Sequence, residues 1–370
     1  MSSRDTDRKD TAKDREQASE RGTEMKIMVE MPGVLTTVQD QGRYGYMEYG
    51  VRTAGAMDMD SFLAANRIAG NPEYAAALEM TLMGMTAVFD GDGVIVLTGA
   101  DMKARLDDMP AERYVRIPVR SGQRLSMGMA QNGCRAYLAV SGGIDVPSVM
   151  GSRSTDVKCC LGGFQGRALK AGDVLETGKP ETREHAETEN ARIPKERPVK
   201  YEHSVEVRVV EGPQADWFSG EARDQFFRES YTVSAESDRM GIRLNGAPVK
   251  SLHGTDIVSD GIAFGSIQIT KSGMPIVMMA DHQTTGGYAK IGTVCSFDLP
   301  KLAQLRPEDR VKFCRISVEE AQELYLHPEE RRRSKPLALV VRTAGSSGAG
   351  ERRRYKFQKY NYYYRHGGGR

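Results

Sequence analysis

The sequence predicts a mainly β protein: two strand-rich barrel domains of similar size with a few short helices. Three observations predict it. Apolar runs of strand length recur along the chain, as at Lys26–Met31, Val94–Thr98, Arg135–Val140, Val205–Val210, Ser266–Thr270 and Pro275–Ala280. Glycine pairs such as Gly142-Gly143 and Gly162-Gly163 punctuate them, which suits a closed, strongly bent sheet better than a doubly wound one. The stretch Lys179–His203 is charged and Pro-containing, with almost nothing to bury, so it reads as a linker inside a 370-residue chain long enough for two domains.

Residues 1–24 are charged and small polar without apolar periodicity, and are expected to be a disordered leader ahead of Met25. The first domain is placed at 25–178. One helix interrupts its strands: Asp58 or Asp60 can cap it, Phe62, Leu63, Asn66 and Ile68 run through it, and Gly70 ends it before Asn71-Pro72. After the linker, at 179–203, the second domain covers 204–328. It opens on the Val205 strand, continues with a helical piece holding Trp217 beside Phe218, and closes on a helix with a Ser317/Glu320 capping box. The tail, 329–370, is basic and expected to be disordered. From Arg331 onward it carries twelve Lys and Arg against the single acid Glu351. The formal net charge of +2 therefore hides a body about nine charges negative. Arginines interleaved with tyrosines in the tail can bind nucleic acid by charge and stacking. That reading is set aside, because nothing else in the chain is basic.

Composition excludes several classes. No apolar run has the length of a membrane span, and the N-terminus lacks the apolar core of a signal peptide. Five cysteines, two of them the adjacent Cys159-Cys160, do not make a disulfide framework and suit a reducing cytoplasm. There is no CxxC or HExxH spacing for a metal, no Walker A loop, and no GxGxxG after a strand.

The chemistry concentrates in Ile276–Val294. An apolar run, Ile276–Ala280, reads as a buried strand and turns at once into Asp281, His282, Gln283, Thr284 and Thr285, then Gly286, Gly287 and Tyr288. A carboxylate, an imidazole, an amide and two hydroxyls at a strand mouth are binding chemistry. The two glycines admit close backbone approach or a positive-φ turn. The plain alternative is a polar turn between core strands. Two further clusters accompany it. In Thr36–Asp40 with Arg43 and Asp58, the carboxylates of Asp40 and Asp58 are candidate bases or metal ligands, and Arg43 a candidate anion clamp. The alternative there is an Asp–Arg pair pinning a turn. Ser237–Gly241 again sets an acid, Asp238, beside an arginine, Arg239.

The blocks TTVQDQGRYGY, GVRTAGAMD, GNPEYAAALE, GSRSTD, GGFQGRALKAGD, GPQADWF, SDRMGIRL, IVSDGIAFGSIQI, DHQTTGGYAKIGTV and DLPKLAQLRPED, in this order over about residues 25–327, resemble the family of the 5-oxoprolinase C subunit. That family is also called allophanate hydrolase subunit 2 or the biotin-dependent carboxyltransferase family. The resemblance implies two cyclophilin-like β-barrel domains and partnership with the B and A subunits of the enzyme. It also implies hydrolysis of 5-oxoproline to L-glutamate with cleavage of ATP, held with Mg²⁺. Phosphorylating a lactam carbonyl oxygen would turn it into a leaving group, so Arg43 and Arg239 would serve phosphates. Gln283, Thr284, Thr285, the Gly286-Gly287 backbone and Tyr288 would bind the amide substrate. Asp40, Asp58 or Asp281 would hold Mg²⁺ or take a proton, and His282 would be a base or a structural hydrogen bonder. Two alternatives stay open: a carboxyltransferase acting on urea or another small amide, and a regulatory partner of a B subunit of kinase-inhibitor type. Ala168-Leu169-Lys170-Ala171 only faintly resembles a biotinylation site, so no covalent biotin is expected on this chain. The extension after His327 departs from the family.

Overall fold

A computed structural model of the chain describes residues 25–180 and 198–328. The expected leader, most of the expected linker and the expected disordered tail lie outside the described residues. The first half contains twelve strands: β1 (Lys26–Met31), β2 (Leu35–Gln39), β3 (Ala77–Thr81), β4 (Thr86–Asp90), β5 (Gly93–Asp101), β6 (Arg105–Leu106), β7 (Met109–Pro110), β8 (Arg116–Val119), β9 (Arg124–Ser126), β10 (Asn132–Val140), β11 (Ile144–Asp145) and β12 (Val174–Thr177). They form a seven-stranded sheet, β11-β12-β1-β4-β9-β6-β7, and a five-stranded sheet, β2-β3-β10-β5-β8. Both sheets feed one core, with Ile27, Val29 and Phe89 from the first and Leu78, Leu97 and Leu138 from the second. Strand β1 alternates as the period of two requires, burying Ile27 and Val29 and exposing Lys26 and Met28.

Strand β10 does not alternate: its residues from Gly133 to Val140 are all buried. Helix α1 (Met59–Ala69) covers its other face, where Phe62, Ala65 and Ile68 meet Val96, Tyr137 and Ala139. A strand covered on both faces reads as a continuous apolar run. The Asp58 side chain caps α1 by accepting from Ser61 N, and Gly70 ends it in the left-handed conformation at φ 78°.

The second half closes into a barrel. Its strands are β13 (Ser204–Glu211), β14 (Ser230–Val233), β15 (Gly241–Asn245), β16 (Asp256–Gly261), β17 (Ser266–Ile269), β18 (Pro275–Met278), β19 (Thr285–Tyr288), β20 (Lys290–Val294) and β21 (Arg310–Arg315). Seven of them run β13-β20-β17-β18-β15-β14-β21, and parallel pairing of β21 with β13 completes the ring. The other two, β16 and β19, form a separate two-stranded sheet. Helices α2 (Gly220–Arg228), α3 (Leu299–Ala303) and α4 (Val318–Leu326) complete the half, and α4 carries the Ser317/Glu320 capping box. The fold is thus mainly β, as the sequence predicts. No helix among the described residues is long and apolar enough to cross a membrane.

The described sheets never mix strands from the two halves, yet the halves share their interior. Met57, from the first half, is 1% exposed and sits in the barrel core with Val207, Phe226 and Ile267. Burying such a side chain contributes about 1.5–3 kcal/mol. In return, Gln304 of the barrel half donates to the Asp58 carboxylate and the Arg135 carbonyl, and accepts from the amides of Cys134 and Arg135.

Candidate functional site

The three polar clusters of the sequence do converge, on the joint between the halves. Past the end of β18, Met279 N donates to Met240 O and Asp281 N to Arg239 O, so the strand mouth runs beside the start of β15. There the Asp281 carboxylate accepts two hydrogen bonds from Arg239, from Nε and Nη2, each 2.9 Å long. The same guanidinium reaches into the first half, to the Glu79 carboxylate through Nη1 and to Gly55 O through Nη2. Glu79 also accepts from Met57 N and Tyr137 Oη at 2.8 and 2.7 Å. Gly55 N donates to Gln39, and Ala56 N to Asp40 O. Burial opposes the charge on Arg239, but Asp281 and Glu79 offset it and hold the guanidinium's pKa above its ordinary value.

This geometry corrects the roles expected of the charged residues. Arg239 is 5% exposed, with all three nitrogens engaged, so it fastens the joint and offers no free fork to a phosphate. Arg43 is fully buried and donates to the carbonyls of Val149 and Ser154, so it ties the turn after β2 to the distant loop at 149–154, with its Nη1 left without a hydrogen bond. The Asp40 carboxylate accepts from the amides of Gly42 and Arg153 and the hydroxyls of Ser152 and Ser154. Asp58 accepts from Ser61 N, Ser61 Oγ and Gln304 Nε2. These carboxylates are saturated by protein donors, and Asp281 is held by Arg239. Among the described residues no group of three or more His, Cys, Asp or Glu is placed to hold a metal ion. Asp40, Asp58 and Asp281, the carboxylates expected to hold Mg²⁺, are thus engaged by protein donors.

His282 is 3% exposed, and its Nδ1 lies 2.7 Å from Gln283 O. A carbonyl only accepts, so Nδ1 carries the proton and Nε2 is the unprotonated nitrogen. Burial lowers the imidazole's pKa and keeps it neutral.

An open cleft of about 310 Å³ lies between the loop at Lys158 and the barrel. From the predicted stretch Gln283 and Tyr288 line it; Gln268, Lys158, Arg243 and Asp238 add polar groups, and Met240, Ile276 and Met278 an apolar wall. Thr284 and Thr285 do not line it. Thr285 is exposed on β19, opposite Gly261. Gly286 and Gly287 also belong to β19, and neither adopts positive φ, so no tight turn is made there. The glycines matter by closeness instead: a Cβ on Gly286 would stand 2.8 Å from Gln268 Nε2 and 3.3 Å from Gln283 Nε2.

The carboxyltransferase domain model, subdomain A and B, matches residues 49–315. The chain belongs to that family. It is 41% identical over 289 residues to the 5-oxoprolinase C subunit of Escherichia coli, covering 78% of this chain and 91% of that protein. Among solved structures, the Kluyveromyces lactis urea carboxylase matches with a TM-score of 0.75 at 32% identity over 84% of this chain. The K. lactis urea amidolyase matches with a TM-score of 0.76 at 33% identity over 82%. This chain spans only 29% and 19% of those two longer chains.

Sequence reasoning about this carboxyltransferase domain missed four residues that the fold brings forward. Gln268 was detectable, as a carboxamide inside the buried strand SIQI. Arg243 is the outward residue of an alternating strand, and Glu79 an acid within the buried strand ALEMT. Lys158 had no signal beyond its loop. Its neighbour Cys159 is not an activated nucleophile, since partial burial and a hydrogen bond to Asp156 raise its thiol pKa.

A larger cavity, about 650 Å³, adjoins Asp58, Ser61, Tyr201, Lys200 and Lys301. No residue of Ile276–Val294 lines it. Burial pushes the Asp58 carboxyl up to about 6 from an ordinary 3.8, although Gln304 and Ser61 pull it down. A folded-state value above the unfolded one gives stability that is fully present at low pH and lost as pH rises through 6. Urea unfolding of wild type and Asp58→Asn should therefore show wild type gaining up to about 3 kcal/mol on the variant between pH ~7 and pH ~4. A pH-independent difference would mean that Asp58 stays ionised.

Proposed function

We propose that this chain is the C subunit of an ATP-dependent 5-oxoprolinase, acting in the cytoplasm with the A and B subunits to hydrolyse 5-oxoproline to L-glutamate. The observation that carries the reading is the match to a 5-oxoprolinase C subunit over 91% of that protein's length. The cleft supports it. Carboxamides such as Gln268 and Gln283 both donate and accept, which complements the C=O and N–H of a lactam. The apolar wall suits ring methylenes. On this reading the chain's part is to bind and orient the amide.

The test is 5-oxoproline-dependent ADP release by the purified chain alone and with the A and B subunits. Release is expected only from the reconstituted assembly; full turnover by the isolated chain overturns the shared-site reading. A second reading, a carboxyltransferase acting on urea, is favoured by the structural match to the K. lactis urea carboxylase. Urea-dependent consumption of carboxybiotin by the chain, with no response to 5-oxoproline, would select it.

A further inference from the structure

We propose that Lys158 and Arg243, one from each half of the chain, form a carboxylate-reading pair. They would make the cleft select a small amide that bears a carboxylate over a neutral amide. The inference rests on the 5-oxoproline reading above and adds the residues that would read the substrate's carboxylate.

Both cations line the same cleft as Gln268, Gln283 and Tyr288. Lys158 has a firm base. Its own amide and that of Cys159 donate to the Asp156 carboxylate, and reciprocal Asp156–Leu161 backbone bonds close the loop. Arg243 sits on β15, its amide held by Ser237 Oγ at 3.1 Å. Its guanidinium makes no hydrogen bond or ion pair to a described residue. Arg243 is exposed at the cleft, where an anion bound against the carboxamides can reach its guanidinium.

The one acid in the lining is Asp238, and it does not cancel the pair. Its Oδ1 accepts from the amides of Met240 and Gly241. Its Oδ2 stands 3.9 Å from Lys158 Nζ, and both side chains are 55% exposed. An exposed ion pair at that separation is weak, and a ligand carboxylate competes for the ammonium readily. Lys158 Nζ also touches Met240 Sδ, a poor acceptor.

Size separates the two anions that such a pair can take, a substrate carboxylate or a nucleotide phosphate. At about 310 Å³ the cleft is at the lower end of ligand pockets, which run ~300–1,000 Å³. It suits a small ring more than a nucleoside triphosphate. A cyclic amide with a carboxylate meets every wall: its methylenes Met240, Ile276 and Met278, its amide Gln268 and Gln283, its carboxylate the two cations. Urea offers neither apolar body nor carboxylate.

The experiment uses the full chain reconstituted with the A and B subunits, as wild type, Lys158→Met and Arg243→Gln. Steady-state ADP release gives kcat and the KM values for 5-oxoproline and ATP. Competition by 2-pyrrolidinone, the same lactam without the carboxylate, gives a Ki. Losing one charge-assisted hydrogen bond should raise the KM for 5-oxoproline by about tenfold to hundredfold. The kcat, the KM for ATP, the Ki of 2-pyrrolidinone and the thermal midpoint should stay near wild type. Unchanged KM for 5-oxoproline in both variants, with an active wild type, overturns the inference alone. A raised KM for ATP instead assigns the cations to the nucleotide and also overturns it. A wild-type assembly that never responds to 5-oxoproline overturns the functional reading and this inference together.

Discussion

Replacing Arg239 with methionine should lower the unfolding free energy by about 3–5 kcal/mol, because it strands the buried Asp281 carboxylate and takes from Glu79 its closer cation. Asp281 and Glu79 are 6% and 1% exposed; Asp281 has this guanidinium as its ion-pair partner, and Glu79 would keep only the more distant Arg135, at 4.0 Å. Arg239→Lys keeps the charge but not the fork, so it should fall between wild type and methionine. An ammonium cannot reach Asp281 bidentately and still satisfy Glu79 and the Gly55 carbonyl. Urea denaturation of the three proteins measures the ordering. If Arg239→Met kept its stability and lost only turnover, the guanidinium would be serving a ligand directly, and the joint would be held by something else.

The second large effect should come from Gly286→Ala, which is expected to lower kcat/KM by about 10²-fold in the reconstituted assembly while the fold survives. The added methyl would lie 2.6 Å from Ile262 Cδ1 as well as against the two carboxamides. All three are ends of side chains that can move, so the strain can be relieved at little cost to folding. Relief means displacing Gln268 and Gln283 from the cleft, and displacements of about 1 Å at a site cost on the order of 10²-fold in rate. Gly287→Ala is the control. Its methyl would meet only Ile257 O, at 3.4 Å, and Ser259 Oγ, at 4.0 Å, both ordinary contacts, so activity should stay near wild type. Equal behaviour of the two variants would remove the carboxamides from the reacting centre.

Much of the fold was legible because its causes are local. The alternation of β1, the Asp58 and Gly70 boundaries of α1 and the Ser317 capping box depend on residues within a few positions of one another. The stretch from Ile276 was legible as a place where a buried strand turns polar, and of its candidate binding residues two, Gln283 and Tyr288, line the cleft. What failed was the assignment of charges. Arg43, Arg239, Asp40 and Asp58 look like binding groups when their neighbours are unknown. Their decisive partners lie far away in the chain, 42 residues for Arg239–Asp281 and 246 for Asp58–Gln304, and no local pattern announces such pairings. Glu79 went unnoticed for the same reason, because its importance comes from Tyr137 opposite it on β10 and from Arg239 in the other half. Of the two roles open to the glycines at 286 and 287, close approach or a positive-φ turn, the structure shows close approach at Gly286, since strand pairing with β16 extends them.

The insertion of Met57 into the barrel core has a consequence for how this segment can travel between polypeptides. Because the halves interlock through their own interiors, the arrangement carries its own alignment and needs no flanking sequence to impose it. Such a cassette can stand as a separate polypeptide or be spliced into a much longer chain without redesign. That is the pattern seen here: one relative is about the length of this chain, while others hold the same shape as less than a third of a larger enzyme. A neighbouring activity gained by fusion would then dock against a cleft whose geometry was already set.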